Sequence, residues 1–159
     1  MGDKALTRLE AEHHIQRAYY EYARALDMRD WPALDRVFTQ DCDARYGADA
    51  HLQGREAIVS AIRRYLDNCG PSQHMISNIV VDADGDCLVS HAAVRAIHRA
   101  RDDNRVFESV ARYSGRWIAD QQGWRACVWR MDVGFNHGDP TVLGLPASAD
   151  VVQDEGDGS

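Results

Sequence analysis

The chain is short of positive charge. Its 18 Lys and Arg face 25 Asp and Glu, a formal net charge of −7. A nucleic-acid partner is not expected, because phosphate binding needs basic patches that displace counterions. An anionic membrane surface is disfavoured on the same ground. Cysteine is sparse as well. Cys42, Cys69, Cys87 and Cys127 include no CxxC spacing, so a zinc knuckle is not expected and the thiols read as reduced, in a cytoplasmic protein. No apolar run approaches the roughly 20 residues of a membrane helix. No apolar stretch follows Met1 as a secretory signal would require, and there is no internal repeat. What is present is an ordinary globular composition, 45% hydrophobic and 27% charged over 159 residues. That is enough for one domain with its own core.

Hydrophobic periodicity divides the chain into a helical first part and a stranded second part. Thr7-Arg-Leu-Glu10 has the form of a capping box, and Ile15, Ala18, Tyr19, Tyr22 and Leu26 follow at helical spacing. A first helix is therefore expected over 7–28. Asp30 is expected to cap a short helix over 31–38, with Pro32 in its first turn. Residues 42–46 read as a short strand. A third helix opens at Gly54-Arg-Glu, carries Ile58, Ala61, Ile62, Tyr65 and Leu66 on one face, and ends at Gly70-Pro71. Four strands follow, over 73–81, 87–100, 105–119 and 124–135. They are separated by the turn sequences Asp82-Ala-Asp-Gly-Asp86, Arg101-Asp-Asp-Asn104 and Asp120-Gln-Gln-Gly123. Helices first and a long antiparallel meander later is an α+β pattern. The expected architecture is a curved antiparallel sheet with three N-terminal helices across one face, enclosing a conical pocket. The domain is expected to end at residue 137, and residues 138–159, rich in Gly, Asp, Ser and Pro, to form an extended, disordered acidic tail.

Strand alternation sorts the side chains by face. Leu88, Ala92, Val94, Ala96, His98 and Ala100 share a face that is apolar except for Ser90 and His98. In the next strand Phe107, Ala111, Tyr113, Gly115 and Trp117 share a face. His98 and Tyr113 are therefore expected on the concave side. In the last strand Cys127, Trp129, Met131, Val133 and Phe135 form the apolar set, and Arg130 stands apart from it. Asp27 lies in the last turn of the first helix, where the macrodipole disfavours an anion by about 0.3–1 kcal/mol. It has two readings: a surface pair with Arg24, or a functional carboxylate. His74, at the start of a strand, reads equally as a surface or satisfied core histidine. Tyr46 reads equally as packing.

Leu26-Asp-Met-Arg-Asp-Trp-Pro-Ala-Leu34 resembles the helix-end motif of the scytalone dehydratases, in which an Asp precedes a short turn and Asp-Trp. In the same register Tyr46 falls on that family's first-strand catalytic tyrosine. Gln73-His-Met-Ile76 is similar to its Gln-His segment, and with one residue of gap His98 falls on its second catalytic histidine. Gly123-Trp-Arg125 is similar to a feature of SnoaL-like proteins. The resemblance spans roughly residues 18–135 and implies the cone-shaped fold of the nuclear-transport-factor-2 superfamily. The Asp-plus-His pair also resembles that of bile-acid dehydratases and hexachlorocyclohexane dehydrochlorinase. Tyr22 is similar in position to a tyrosine of the first, and Arg130 to an arginine of the second. Leu26, Ala111 and Tyr113 depart from the scytalone dehydratase pattern at substrate-holding positions, so a different substrate is implied.

The activity so implied is elimination of water from a hydroxy-carbonyl compound, polyketide-like or steroid-like. No metal or organic cofactor is called for. His74 would take the proton, Asp27 would orient it, Tyr46 would donate to the enolate oxygen and His98 would protonate the leaving hydroxyl. Tyr22, Tyr113 and Arg130 would contact the hydrophobic small-molecule substrate. A cyclase or isomerase working through the same enolate, and a non-catalytic binding module, are the alternatives. The resemblance also implies a homodimer or homotrimer built on the outer face of the sheet.

Overall fold

The computed structural model describes residues 2–48 and 50–147 of the chain. The stripe Ile15, Ala18, Tyr19, Tyr22 and Leu26 is buried as one face of helix α1 (Gly2–Met28). This helix starts ahead of Thr7, so the capping-box sequence lies within it rather than at its beginning. It stops in a Schellman arrangement: Asp30 N–H donates to Ala25 O at 2.9 Å and Arg29 N–H to Leu26 O at 3.3 Å. Arg29 takes the left-handed position of that motif, with φ of 57°. Glycine is usual there, and a side chain costs about 1–2 kcal/mol. The Arg29 guanidinium offsets this cost. It donates to the carbonyls of Leu26, Leu66 and Gly70, to Ser72 Oγ and to Cys69 Sγ.

Beyond this turn, Trp31–Arg36 form a 3-10 helix, shorter than expected, and Asp30 makes no side-chain capping bond. Among the described residues, the three expected helices are thus present as two α-helices and one 3-10 helix. Strand β1 (Phe38–Tyr46) begins earlier than expected, and it pairs with a four-residue strand, β2 (Ala50–Gln53), too short for its alternation to stand out in the sequence. Helix α2 (Arg55–Leu66) buries Ile58, Ile62 and Leu66. The meander is β3 (Ser72–Asp84), β4 (Cys87–Arg99), β5 (Val106–Asp120) and β6 (Gly123–Gly138). The six strands form one curved, unclosed sheet in the order β2-β1-β6-β5-β4-β3. It is not wholly antiparallel, since β1 runs parallel to β6. Helix α1 packs against β3 and β6 across the concave side, and α2 against β1.

Alternation holds along β4 and β5. Leu88, Ser90, Ala92, Val94, Ala96, His98 and Ala100 are buried, as are Phe107, Ala111, Tyr113, Gly115 and Trp117. Along β6 it breaks twice. The pairing with β5 skips Cys127 and again skips Gly134, two bulges that each shift the alternation by one residue. Between them Trp129 is buried and Met131 and Val133 face inward as expected. Outside them the expectation fails: Ala126 is buried in place of Cys127, and Phe135 is 53% exposed while Asn136 faces inward. Past the expected domain boundary, Pro140–Leu143 form another 3-10 turn with Val142 buried. The first part of the expected tail therefore belongs to the folded body. Residues 148–159 lie outside the described residues.

The narrow end of the cone is filled by aromatic rings. Trp129 lies against Tyr19, Tyr22, Phe38 and Tyr113 with centroid separations of 5.0–5.4 Å. Each such pair adds about 0.5–1.5 kcal/mol beyond its area burial. Ser90, the odd polar residue on the β4 face, is fully buried there. Its Oγ accepts the Trp117 indole N–H at 2.7 Å and lies 2.8 Å from the Tyr19 hydroxyl. Ser90→Ala is expected to leave two buried polar groups without their partner and to cost about 2–3 kcal/mol. Denaturant unfolding at constant slope measures this, and a loss under about 0.5 kcal/mol would show that the hydroxyl does not organise the floor.

Candidate active site

Five elements, α1, β1, β3, β4 and β5, deliver the sequence-selected residues other than Arg130 to one place. Asp27 stands in the last turn of α1, and its carboxylate is turned toward the first residues of β3. Oδ2 accepts the His74 backbone N–H at 3.0 Å, and Oδ1 lies 2.7 Å from His74 Nδ1. Ser72 Oγ, two residues before His74 and hence on the same face, donates to Oδ1 at 3.4 Å. The Asp27 carboxylate is thus committed to β3 rather than to Arg24. Because a carboxylate oxygen accepts, the proton of His74 is held on Nδ1, and Nε2 is the ring atom free to exchange a proton. The His74 side chain is 5% exposed.

His98 follows on the neighbouring strand, its ring 5.3 Å from that of His74 and nearly perpendicular to it. Its Nδ1 lies 3.3 Å from the Phe107 carbonyl, which can only accept, so Nδ1 carries the proton and Nε2 the lone pair. Burial, with a smaller contribution from His74, pushes the His98 pKa down to about 4. At neutral pH His98 is therefore an uncharged acceptor. The expected role as acid to the leaving group does not suit it, because the imidazolium is scarcely populated there.

A second polar group lies at the aromatic end of the cavity. The hydroxyls of Tyr22 and Tyr46 are 3.1 Å apart, and Tyr113 packs edge-on to Tyr22 at 5.6 Å. Burial above all holds all three phenols well above their ordinary pKa. They stay protonated and act as neutral donors.

These groups surround a cavity of about 290 Å³. Tyr22, Tyr46, Tyr113, His74 and His98 all line it, and Leu26, Ile62, Leu66, Val94 and Ala111 supply apolar wall. Among the described residues, no Asp, Glu, Lys or Arg is in the lining. Arg130 does not reach it. The alternation of β6 sends that side chain to the convex side, where it ion-pairs with Asp43 and donates to the Asp43 and Trp129 carbonyls. The expected substrate contact from Arg130 is thus corrected. Leu143 and Leu145, from the segment expected to be disordered, and Ser109 and Asn136 also line the cavity. Sequence reasoning missed these four residues. It also missed the clamp made by Arg29 and Ser72, although a serine two residues before a candidate strand histidine was a readable signal. Among the described residues, no three His, Cys, Asp or Glu side chains are grouped to hold a metal ion. No described helix is long and apolar enough to cross a membrane.

The depressed His98 pKa makes stability depend on pH. The unfolded chain protonates this histidine at about 6.5, the folded protein only near 4. Between those values the unfolded state binds more protons, so stability is complete above pH about 6.5 and falls as pH drops toward 4. The loss is on the order of 3 kcal/mol. His98→Gln is expected to lose about 2–3 kcal/mol less than wild type between pH 7 and pH 4.5. Parallel pH profiles in urea unfolding would contradict the neutral buried imidazole.

An uncharacterized protein of Mycobacterium tuberculosis is 31% identical over 113 residues, 70% of this chain and 77% of that one. Among solved structures, a candidate scytalone dehydratase from Novosphingobium aromaticivorans superposes with a TM-score of 0.75 at 21% identity, covering 98% of this chain and 100% of its own. A type 2 hexachlorocyclohexane dehydrochlorinase gives 0.76 at 15% identity, covering 91% and 99%. The SnoaL-like domain matches residues 7–130. The chain belongs to the SnoaL-like family and has the nuclear-transport-factor-2-like fold.

Proposed function

We propose that this protein is a lyase that eliminates water from an uncharged hydroxy-carbonyl small molecule, using His74 as the proton carrier. The observation that carries the proposal is the 2.7 Å contact between Asp27 and His74 at the wall of a cavity that no charged side chain lines among the described residues. Asp27 fixes the tautomer and favours the imidazolium that forms when Nε2 takes a proton from the carbon beside the carbonyl. Tyr46, a neutral donor backed by Tyr22, hydrogen-bonds the oxygen on which negative charge develops. The electron pair of the broken C–H bond becomes the new C=C as the C–O bond breaks. The departing hydroxide takes its proton back from His74, so one histidine serves as base and then acid. His98 contributes an acceptor for a substrate hydroxyl.

The cavity also narrows the substrate class. Burying an ion without a partner is costly, which argues against carboxylates, phosphates and thioesters of charged carriers. A volume of about 290 Å³ lies at the bottom of the range for small-molecule sites, about 300–1,000 Å³. A molecule of one or two rings suits it better than a four-ring steroid. The fold likeness to a candidate dehydratase and a dehydrochlorinase supports elimination as the reaction type.

The test is a panel of one- and two-ring β-hydroxy ketones assayed by mass for the loss of one water. His74→Gln and Asp27→Asn are each expected to lower kcat by about 10²–10⁴-fold, with far smaller changes in KM. Full turnover by both variants would refute the acid–base assignment. Turnover without a change of mass would make the protein an isomerase or cyclase working through the same enolate.

A further inference from the structure

The residue after helix α1 holds a backbone conformation that glycine would adopt without strain. Arg29 has φ of 57°. Non-glycine residues in this region carry a local cost, and they cluster at functional sites. A glycine would close the same turn. What the arginine adds is its guanidinium, which is directed at the Asp27–His74 pair.

Three contacts of this group frame the pair. Nη1 donates to the carbonyl of Leu26, the residue before Asp27, and to Ser72 Oγ at 2.8 Å. Nη2 donates at 2.8 Å to the carbonyl of Gly70, two residues before Ser72. The backbones on both sides of the pair are thus tied to one planar group. The contact with Ser72 also gives the hydroxyl a direction. A guanidinium only donates, so Ser72 Oγ accepts from Arg29 and turns its own proton to another acceptor. Asp27 Oδ1 takes it at 3.4 Å, and the same oxygen accepts the His74 Nδ1–H at 2.7 Å. Oδ2 meanwhile accepts the His74 backbone N–H. Rotation of the carboxylate away from the ring therefore also breaks its bond to Ser72. His98 opposes Ser72 across the β3–β4 pair but stands outside this chain, with Nδ1 on the Phe107 carbonyl. Neither Arg29 nor Ser72 lines the cavity, so their influence on it passes through Asp27.

From this arrangement we infer that Arg29 and Ser72 are positioning residues. They hold the Asp27 carboxylate against the His74 ring, which keeps the ring proton on Nδ1 and leaves Nε2 free. The inference rests on reading His74 as the proton carrier, and it adds to that reading the two groups that keep the histidine poised.

Proton NMR of the 15N-labelled protein without ligand tests this. The His74 Nδ1–H is assigned by its loss in His74→Gln, and the His98 Nδ1–H by its loss in His98→Gln. The rate at which each exchanges with water reports how often its hydrogen bond opens. Ser72→Ala is expected to speed exchange at His74 about tenfold, the lower end for loss of a hydrogen bond to a charged group, and to change His98 by less than about twofold. Arg29→Gly, which suits the backbone but lacks the guanidinium, is expected to show the same selectivity. A purely structural role would loosen both histidines alike or neither. Unchanged exchange at His74 in Ser72→Ala, equal acceleration at His74 and His98, an effect that Arg29→Gly does not share, or no protected His74 proton in wild type would each overturn the inference. Should Arg29→Gly fail to fold, Ser72→Ala decides alone. No substrate enters this measurement. Failure of the elimination chemistry is read in the turnover of His74→Gln and Asp27→Asn, and failure of the positioning in proton exchange, so the two leave different records.

Discussion

The arrangement turns on one carboxylate at the wrong end of a helix. Asp27 sits where the α1 dipole presents negative charge, a penalty of about 0.3–1 kcal/mol. It is retained because the His74 N–H, the His74 ring and the Ser72 hydroxyl all converge on it. Hydrogen bonds to a charged group contribute about 1.5–3 kcal/mol each, so the local balance favours the clamp. Its consequence is positional. The start of β3 is tied to the end of α1, and the sheet curves from an edge whose place is set by the same contact that orients the imidazole. Arg29 reinforces this from beneath. It accepts a strained backbone and uses its guanidinium to bind the last turn of α1, the end of α2 and the lead into β3. Gly70 in that lead has no room for a side chain, with the Ala100 carbonyl only 2.9 Å from where a Cβ would stand.

The two ends of the cavity are built on different principles. At the narrow end, large aromatic side chains interlock, with Ser90 bonded to Trp117 and Tyr19 and the Tyr22 and Tyr46 hydroxyls paired, while the buried Trp129 indole N–H has no partner among the described residues. Such a floor is rigid, as close-packed interiors are. It holds the Tyr22 and Tyr46 hydroxyls as donors whose ionisation burial suppresses. At the other end, two imidazoles meet at right angles with different partners. One has a carboxylate and the other only a carbonyl, so the first is equipped to carry a positive charge and the second is kept from it. Neighbouring groups of one chemical type thereby acquire distinct duties through environment alone.

Much of this was legible in the residues, and where it was not the reason is specific. Helix α1 showed itself in the spacing of Ile15, Ala18, Tyr19, Tyr22 and Leu26, and β4 and β5 in strict alternation, because each buries one face against one core. Strand β2 was invisible, since four residues are too few to show a period, and the parallel pairing of β1 with β6 leaves no local mark. The 3-10 turn after Asp139 read as tail because its composition is that of a loop. It is held by caps and by the burial of Val142, neither of which alters hydropathy over a window. Among the candidate site residues, Asp27 and His74 were selected separately with weak local signals. The family resemblance joined them as a pair, and the packing of α1 against β3 that brings them to 2.7 Å is a tertiary fact.

The last strand shows how far alternation carries and where it must stop. Arg130 was separable from Trp129 and Met131 by parity alone, and its partner proves to be Asp43 on the convex side. Parity fails beyond Gly134, and the same glycine was the available warning, because an isolated glycine within a strand pattern marks a bulge or a close backbone approach. Here it marks both. With regular pairing, Phe135 would enter the cavity and Asn136 would face solvent, leaving that wall wholly apolar. The bulge exchanges a large ring for a smaller amide side chain on the cavity side. It also leaves Phe135 on the outer surface at 53% exposure, a cost in apolar burial that folding stability alone does not account for. An irregularity that exposes a phenylalanine and turns a smaller side chain toward the cavity is better understood as serving the cavity than as serving the sheet.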